Sequence, residues 1–581
     1  MSPTSDWTLT NTDHGLLVAF GEFLQQHGLL DQLMRVPIKQ KTLAHAPQAK
    51  LIEFMAGTFN GIEYLSDLND APHPLAKDAA VAHAWGLPQF AHYSGVSHTL
   101  DACDAQTVTA VRQAIDTFSQ PFIRTAVHEL LRTGRPIVYD LDLTGQAVSA
   151  TSTTYPDTAF GWMNNQVRLG YQLALVCLTS ASQERIWLSG FHHAGDTVSS
   201  SCLQELICAA ETQTQVRPRR RTDLVQQRIA ATEKLMERPR RLVSQQQTKR
   251  MQLQRTELRV CVQIAQAEHA QKSPVFTARS KRLVQRLPSW QARLPRLVKQ
   301  LANCARAIAH HQTYLGELTH RIAELKTWLA QLEADNRTNP DPPICEARMD
   351  SGFSGDANLT WLIEMGYQIN TKAPSDKTTT ALRKKVSAET VWTCVGANAE
   401  MTKPMEYYLH DCPYPLRTAL QRFQVGEIYK YATLLQYRDV GTPPPLANWF
   451  QSYNGRQTIE AGNKELKSGV FHVQHLMTRS PAGIQLQVLF AGVAANAVRW
   501  AMPWLRACAS QSTPKFEHTL HSPKHLVRVA ANSTALVQQT AMGTALRFAP
   551  TSALPGVTLF LKGVPAFQLP LGFQTAVQNH N

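Results

Sequence analysis

The sequence predicts an α/β protein: a mixed sheet with flanking helices, interrupted by a long antiparallel coiled-coil hairpin and preceded by a helical domain. Three observations carry that prediction. Strand-like runs that carry acids occur twice, at 136–145 and 344–350. Between them lies a run with apolar or tolerable residues at heptad spacing. Ahead of both, the first 125 residues place apolar side chains at helical spacing between prolines. With 581 residues and 43% hydrophobic content, the chain can bury several cores and is too long for one ordinary domain.

The expected division follows the chain. Residues 1–125 form the helical domain: Leu16 to Phe20 leads into Phe23-Leu24, Leu29-Leu30 and Leu33, and Pro37, Pro47, Pro72, Pro74 and Pro88 cut the remainder into short helices. Within it, Ser94-Gly95-Val96-Ser97 is read as the turn and cap of a helix-turn-helix pair. Residues 126–215 hold the first part of the sheet domain. Pro136 to Gly145 is a strand running into a turn, Arg168–Thr179 and Arg185–His192 are further strands, and Leu203–Ala210 is a helix. Side chains alternate along a strand, so Asp140 and Asp142 share one face and either could serve a site there.

Residues 216–340 are expected to form the hairpin. Leu301, Ile308, Leu315, Ile322 and Leu329 occupy one core register, and Cys304, His311, Leu318, Leu325 and Leu332 the other. Thr222–Gln271 supplies the antiparallel partner, kinked or broken at Pro239, with the turn in the Pro-marked region 273–295. His311 reads as a tolerated packing defect rather than a metal ligand.

The sheet domain resumes over 341–510. Ile344 to Phe353 is a strand ending in acid and a Gly turn, Asn358–Met365 a helix and Tyr367–Asn370 a strand. A small β insertion is expected near 373–446, with strands at Thr390–Val395, Met405–Leu409 and Ile428–Tyr437. Trp392 and Trp449 are treated as core residues without an assigned role. Alternating stretches such as Leu526 to Val529 and Leu546 to Phe548 give the tail, 511–581, β character.

Charge narrows the partner. Residues 217–299 carry 21 Lys or Arg against five Asp or Glu, a local balance of +16 in a chain of net charge +14. A polyanion should meet that segment most strongly; nucleic acid leads, with an acidic membrane surface a weak second. The ten cysteines form no C-x2-C pair, so a zinc site is not expected and reduced thiols are. The opening residues lack a signal-peptide pattern. The most apolar run, Ile484–Leu505, is interrupted by Gln485, Gln487, Asn496 and Arg499, which favours a buried helix over a membrane span. A cytoplasmic location is the expectation.

The chemistry is concentrated in Ser452 to Lys467. As a helix, this stretch puts Tyr453, Arg456, Glu460 and Lys467 in a stripe about 60° wide, with Gly455, Ile459, Gly462 and Leu466 on another, small and apolar one. A carboxylate can hold a divalent metal while Arg, Lys and Tyr grip phosphate oxygens around it, so the stripe reads as a phosphodiester site. Its spacing, Y-x2-R-x3-E-x6-K, resembles the signature of bacterial cut-and-paste transposases of the insertion-sequence superfamily known as the YREK group (insertion-sequence-four-like). Arg348-Met349-Asp350-Ser351-Gly352-Phe353 resembles that group's second acidic motif.

The resemblance implies an RNase H-like catalytic core of the DDE type, which the strand order and the acid on the first strand also suit. It implies metal ligation and catalysis by Asp142, Asp350 and Glu460, with Asp142 preferred because Asp-x-Thr is the commoner arrangement and Asp140 the fallback. Tyr453, Arg456 and Lys467 would contact DNA. Two Mg²⁺ (or Mn²⁺) ions about 3.5–4 Å apart are expected. The implied partners are double-stranded DNA, as element terminal inverted repeats and target, and a second protomer in a DNA-bound homodimer; no membrane is implied, and a nucleoid-associated location is. The helical domain would bind element ends. A hairpin inserted before the second acid departs from the best-known members, whose β-rich insertion follows it. Two rival readings are a catalytically inactive, transposase-derived DNA-binding protein and an RNase H-like structure-selective nuclease.

Overall fold

The computed structural model describes residues 8–41, 44–274, 277–374, 376–402, 405–407, 412–439, 444–510, 513–540 and 543–561. It is mixed α/β with long helices, and its described residues fall into two compact units. One comprises residues up to 218, 342–363 and from 367 onward; the other comprises 219–341 with 364–366.

The first strand, β1 (Thr8–Thr12), lies apart from the main sheet. Among the described residues the main sheet has eleven strands: β2 (Ile137–Ala147), β3 (Ala159–Met163), β4 (Gln166–Thr179), β5 (Arg185–Ala194), β6 (Cys345–Arg348), β7 (Gln368–Lys372), β8 (Trp392–Gly396), β9 (Ala399–Thr402), β10 (Met405–Tyr407), β11 (Leu416–Val425) and β12 (Ile428–Tyr437). Its spatial order is β3-β4-β2-β6-β7-β12-β11-β9-β8, with β5 on β4 and β10 on β11. β2, β6 and β7 run parallel, while β4 is antiparallel to β2. The helix Asp356–Glu364 makes the crossover from β6 to β7 that a parallel pair requires. The strands expected in the insertion extend this sheet, β12 pairing antiparallel with β7. Tyr408 and Leu409, at the end of the expected Met405–Leu409 strand, lie outside the described residues.

The helices before residue 133 share one core with β4, β5 and the helix Pro481–Cys508. Phe54 meets Phe490 edge-on at 5.9 Å, and Phe122 stacks on Trp500 at 4.4 Å. Pro481–Cys508 is the only described helix apolar and long enough to cross a membrane, yet most of it is buried in this core. Its polar residues are spoken for: Asn496 exchanges hydrogen bonds with the Trp187 backbone, and Gln485 with those of Gly190 and His192.

The second unit is a helical hairpin, Thr222–Lys272 and Ala278–Arg337. The antiparallel sense follows from its pairings. Arg220 pairs with Asp335 at one end, and Val260, Ala267, Leu287, Trp290 and Leu297 cluster toward the other. All ten expected core positions from Leu301 to Leu332 are buried or half-buried, His311 among the latter.

Several local expectations are corrected. The hairpin's first helix ends at Lys272 and its second starts at Ala278, within the expected region, but Pro288 and Pro295 lie inside that second helix. Both are exposed, so water can reach the carbonyls their missing N–H groups leave free. Pro239 likewise sits within one uninterrupted helix. Ser94 to Ser97 is not a turn but part of the helix Tyr93–Ala102, because the His92 ring caps it by accepting from Ser94 N–H (3.3 Å). Leu526 to Val529 lies in a helix, Pro523–Ala530, which starts at Pro523 with a Ser522 cap. Strands do form further on: among the described residues β13 (Ala535–Thr540), β14 (Gly543–Phe548) and β15 (Thr558–Phe560) share a sheet with β1, in the order β1-β13-β14-β15. The part of the tail beyond residue 561 lies outside the described residues.

Candidate active site

The site is built on one face of β2. Asp140, Asp142, Thr144 and Gln146 alternate onto that face, and each is engaged from another segment. Asp140 is fully buried and takes a bidentate pair from Arg348 of β6, at 2.7 and 2.6 Å, plus the Thr179 hydroxyl at 2.7 Å. Asp142 Oδ1 accepts from Arg456 Nη2 at 2.6 Å, and its Oδ2 accepts from Asn463. Lys467 Nζ donates to Thr144 Oγ1 (3.2 Å) and to the Gly145 carbonyl. Gln146 donates to the Val473 carbonyl.

Arg456 is the hub. Besides Asp142 it donates to Glu460 Oε1 at 2.8 Å and lies 3.9 Å from Asp350 Oδ2. Three acids from remote parts of the chain thus gather on one guanidinium. They converge on Arg456 rather than on each other: among the described residues they do not form a group whose ligand oxygens all lie within 4.8 Å. Asp142 is nearly buried, whereas the Asp350 side chain is 36% and Glu460 55% exposed, so the acids form a cup open to solvent on one side.

Asp350 follows β6 and caps the short turn Ser351–Phe353, accepting from Gly352 N–H at 2.9 Å. Burial pushes the Asp142 carboxyl up to about 6; Arg456 opposes this, and Asp350 and Glu460 add to it. Tyr453 is buried and its phenol is pushed up to about 12, mainly by that burial. Lys372 of β7 sits 5.5 Å from the Tyr453 ring centre. Its pKa is lowered by burial and then by Arg456, while Glu460 and Asp350 pull the other way.

The predicted continuous helix from Tyr453 to Lys467 is interrupted, and the interruption has a cause. Leu446–Asn454 and Gln457–Lys464 are separate helices, and Glu465–Gly469 is a wide π turn. Arg348 Nη1 donates to the Ser452 carbonyl at 2.9 Å, the acceptor a regular helix would offer to Arg456 N–H. That N–H turns to Tyr453 O instead, at 3.0 Å. Gly455 makes the approach possible, since a Cβ there would overlap Arg348 Nη1. The small, apolar stripe behaves as expected: Ile459 and Leu466 are buried, and a Cβ on Gly462 would strike Arg185 and Trp187.

Of the expected site residues, Asp142, Asp350, Glu460 and Arg456 meet in one place, with Tyr453 buried beside Arg456. Asp140 is committed to Arg348 and is structural in geometry. Lys467 points inward to β2. Sequence reasoning missed Arg348, Asn463 and Lys372. Arg348 opens the R-x-D-S-G-F string and Asn463 stands three residues after Glu460, on an adjacent part of the same helix face. Glu465, a second acid on this segment, is held by Arg185 (2.8 Å) and Arg499 (2.7 Å), away from the cup.

Carboxylate oxygens are the hard donors that Mg²⁺ or Mn²⁺ takes, but among the described residues these three acids gather on Arg456 without bringing their oxygens within 4.8 Å of one another. The Arg456 guanidinium between them marks the locus where positive charge is held. No protein-family model matches the chain, and no curated protein matches it.

Proposed function

We propose that the chain is a DDE-type DNA transposase, excising an insertion sequence and joining it to target DNA, on an RNase H-like core interrupted by a basic coiled coil. The observation that carries this reading is the gathering of Asp142, Asp350 and Glu460 on Arg456. The strand order supports it. Setting aside the short β3, β5-β4-β2-β6-β7 puts three antiparallel-linked strands beside two parallel ones, with acids on β2, after β6, and on a following helix. The YREK spacing and the +16 balance of residues 217–299 add support.

In this reading Asp142, Asp350 and Glu460 hold two Mg²⁺ or Mn²⁺ ions. When bound, such ions activate water or a DNA 3′-hydroxyl and stabilise the leaving oxygen. Asp142 stays ionised near neutral pH because Arg456 counters its burial. Arg456 also fixes the Glu460 rotamer. Lys467 braces the edge of the cup against β2, and Lys372 places a cation beside Asp350 and Glu460, where a scissile phosphate would sit. The exposed Arg and Lys of the hairpin track duplex DNA. Two element ends must be cut together, so the working unit is a homodimer on DNA.

The test uses the DNA that flanks the coding sequence, inspected first for short inverted repeats. Wild type with Mg²⁺ should nick and join ends, while Asp350→Ala and Glu460→Ala bind equally in gel shifts and do neither. Binding without cleavage by wild type would instead mark an inactive DNA-binding descendant. Cleavage of branched DNA regardless of end sequence would mark a structure-selective nuclease.

A further inference from the structure

Outside the cup, one other group of potential ligands stands out. Among the described residues, only Glu63, His472 and His475 place ligand atoms all within 4.8 Å of one another. His475 Nε2 lies 3.0 Å from Glu63 Oε1. His475 N–H donates to the His472 carbonyl at 2.9 Å, closing a turn that carries both imidazoles, whose ring centres are 6.3 Å apart.

Contacts with Glu63 and with the Gln474 amide, 3.1 Å from the same Nε2, account for His475 but not for His472. His472 adopts φ +48°, the left-handed region that a non-glycine residue rarely occupies. Strain of this kind concentrates where a side chain must be aimed. Glu63 is held from the other side, its own N–H and that of Tyr64 both donating to Asp67 Oδ2 at 3.0 and 2.8 Å. The Tyr64 ring stands edge-on to His475 at 5.2 Å and walls one side. Glu63 is exposed and the two histidines half-buried, which leaves an entry path for an ion and a water.

We propose that Glu63, His472 and His475 bind a divalent transition-metal ion, Zn²⁺ by donor type, with water as fourth ligand. Two imidazole nitrogens and one carboxylate suit Zn²⁺ or Co²⁺ far better than Mg²⁺, which prefers oxygen throughout. The site has a mechanical consequence. Val473 and Gln474 N–H donate to the carbonyls of Leu466 (3.0 Å) and Lys467 (3.2 Å), and Gln146 of β2 donates to the Val473 carbonyl. An ion there ties the loop at residue 63 to the turn that positions Lys467 and to the strand bearing Asp142. The inference rests on this cluster alone and is independent of the transposase reading.

Co²⁺ titration of the full chain, stripped with a chelator, tests it. One equivalent should give the intense visible band of tetrahedral Co²⁺, displaced by Zn²⁺ and not by excess Mg²⁺; six-coordinate Co²⁺ at carboxylates absorbs weakly. Glu63→Gln and His475→Gln should each lose the band, while Glu460→Gln keeps it. One equivalent of Zn²⁺ should raise the melting temperature of wild type and of neither cluster variant, whose metal-free melting and circular dichroism match wild type. Absence of the band in wild type, or its survival in both cluster variants, would reduce the cluster to an ion pair and overturn the proposal.

Discussion

Asp142→Asn separates what the site needs from what the fold prefers. Asp142 is only 11% exposed, and its carboxyl is raised from 3.8 to about 6. A rise of about two units corresponds to ~3 kcal/mol in favour of the neutral form. The sign follows from proton counting. Between about pH 4 and pH 6 the folded chain keeps a proton that the unfolded chain has released, so this contribution is full below the unfolded pKa and is lost as pH rises through about 6. Asparagine has no proton to release and still offers Oδ1 to Arg456. With a chelator present, the variant should therefore equal or exceed wild type in stability near neutral pH, by up to ~3 kcal/mol, and the two should converge near pH 4. Differential scanning calorimetry over that range reads the difference, and end-cleavage assays read activity, which the variant should lack. A variant that melts well below wild type near neutral pH would refute the reasoning, because it would mean the Arg456 pair outweighs burial and carboxylate repulsion.

Three further outcomes follow from the same geometry. Asp140→Asn strands the buried Arg348 charge and should cost about 3–5 kcal/mol, seen as a large fall in melting temperature that Asp142→Asn does not share. Gly455→Ala pushes a methyl onto Arg348 and should cost about 1–3 kcal/mol, with cleavage falling alongside thermal stability; unchanged melting would contradict the close approach. Replacing exposed Arg279, Lys281, Arg282 and Arg286 by Ala should weaken duplex DNA binding and reduce the salt slope, measured by anisotropy across a KCl series, by about 0.9 for each phosphate left without its cation. An unchanged slope would place the DNA elsewhere.

Much of this arrangement was legible because it rests on short-range regularities. Period-two alternation placed Asp140 and Asp142 on one face of β2, and the heptad positions from Leu301 to Leu332 are all buried or half-buried in the second hairpin helix. The glycines at 455 and 462 marked close packing correctly. What alternation could not decide was which acid serves the cup. That depended on Arg348, which reaches Asp140 across more than two hundred residues of sequence. The same residue broke the helix at Arg456 by taking the Ser452 carbonyl, a tertiary event with no local signal. Proline punctuation misled at 288 and 295, where an exposed helix face tolerates the lost hydrogen bonds. The pairing of β1 with β13, and of Glu63 with His472 and His475, joins segments hundreds of residues apart, and a search for cysteine pairs passes over the latter.

The central claim is that three acids remote in the chain act as one divalent-cation site, and Mn²⁺ titration followed by electron paramagnetic resonance tests it most directly. With end DNA present, wild type should bind about two Mn²⁺ per chain, and Asp142→Asn, Asp350→Ala and Glu460→Ala should each lose the same signal. Signals that survive in any one variant, or that vanish independently for each, would mean that the cup does not bind metal as a unit.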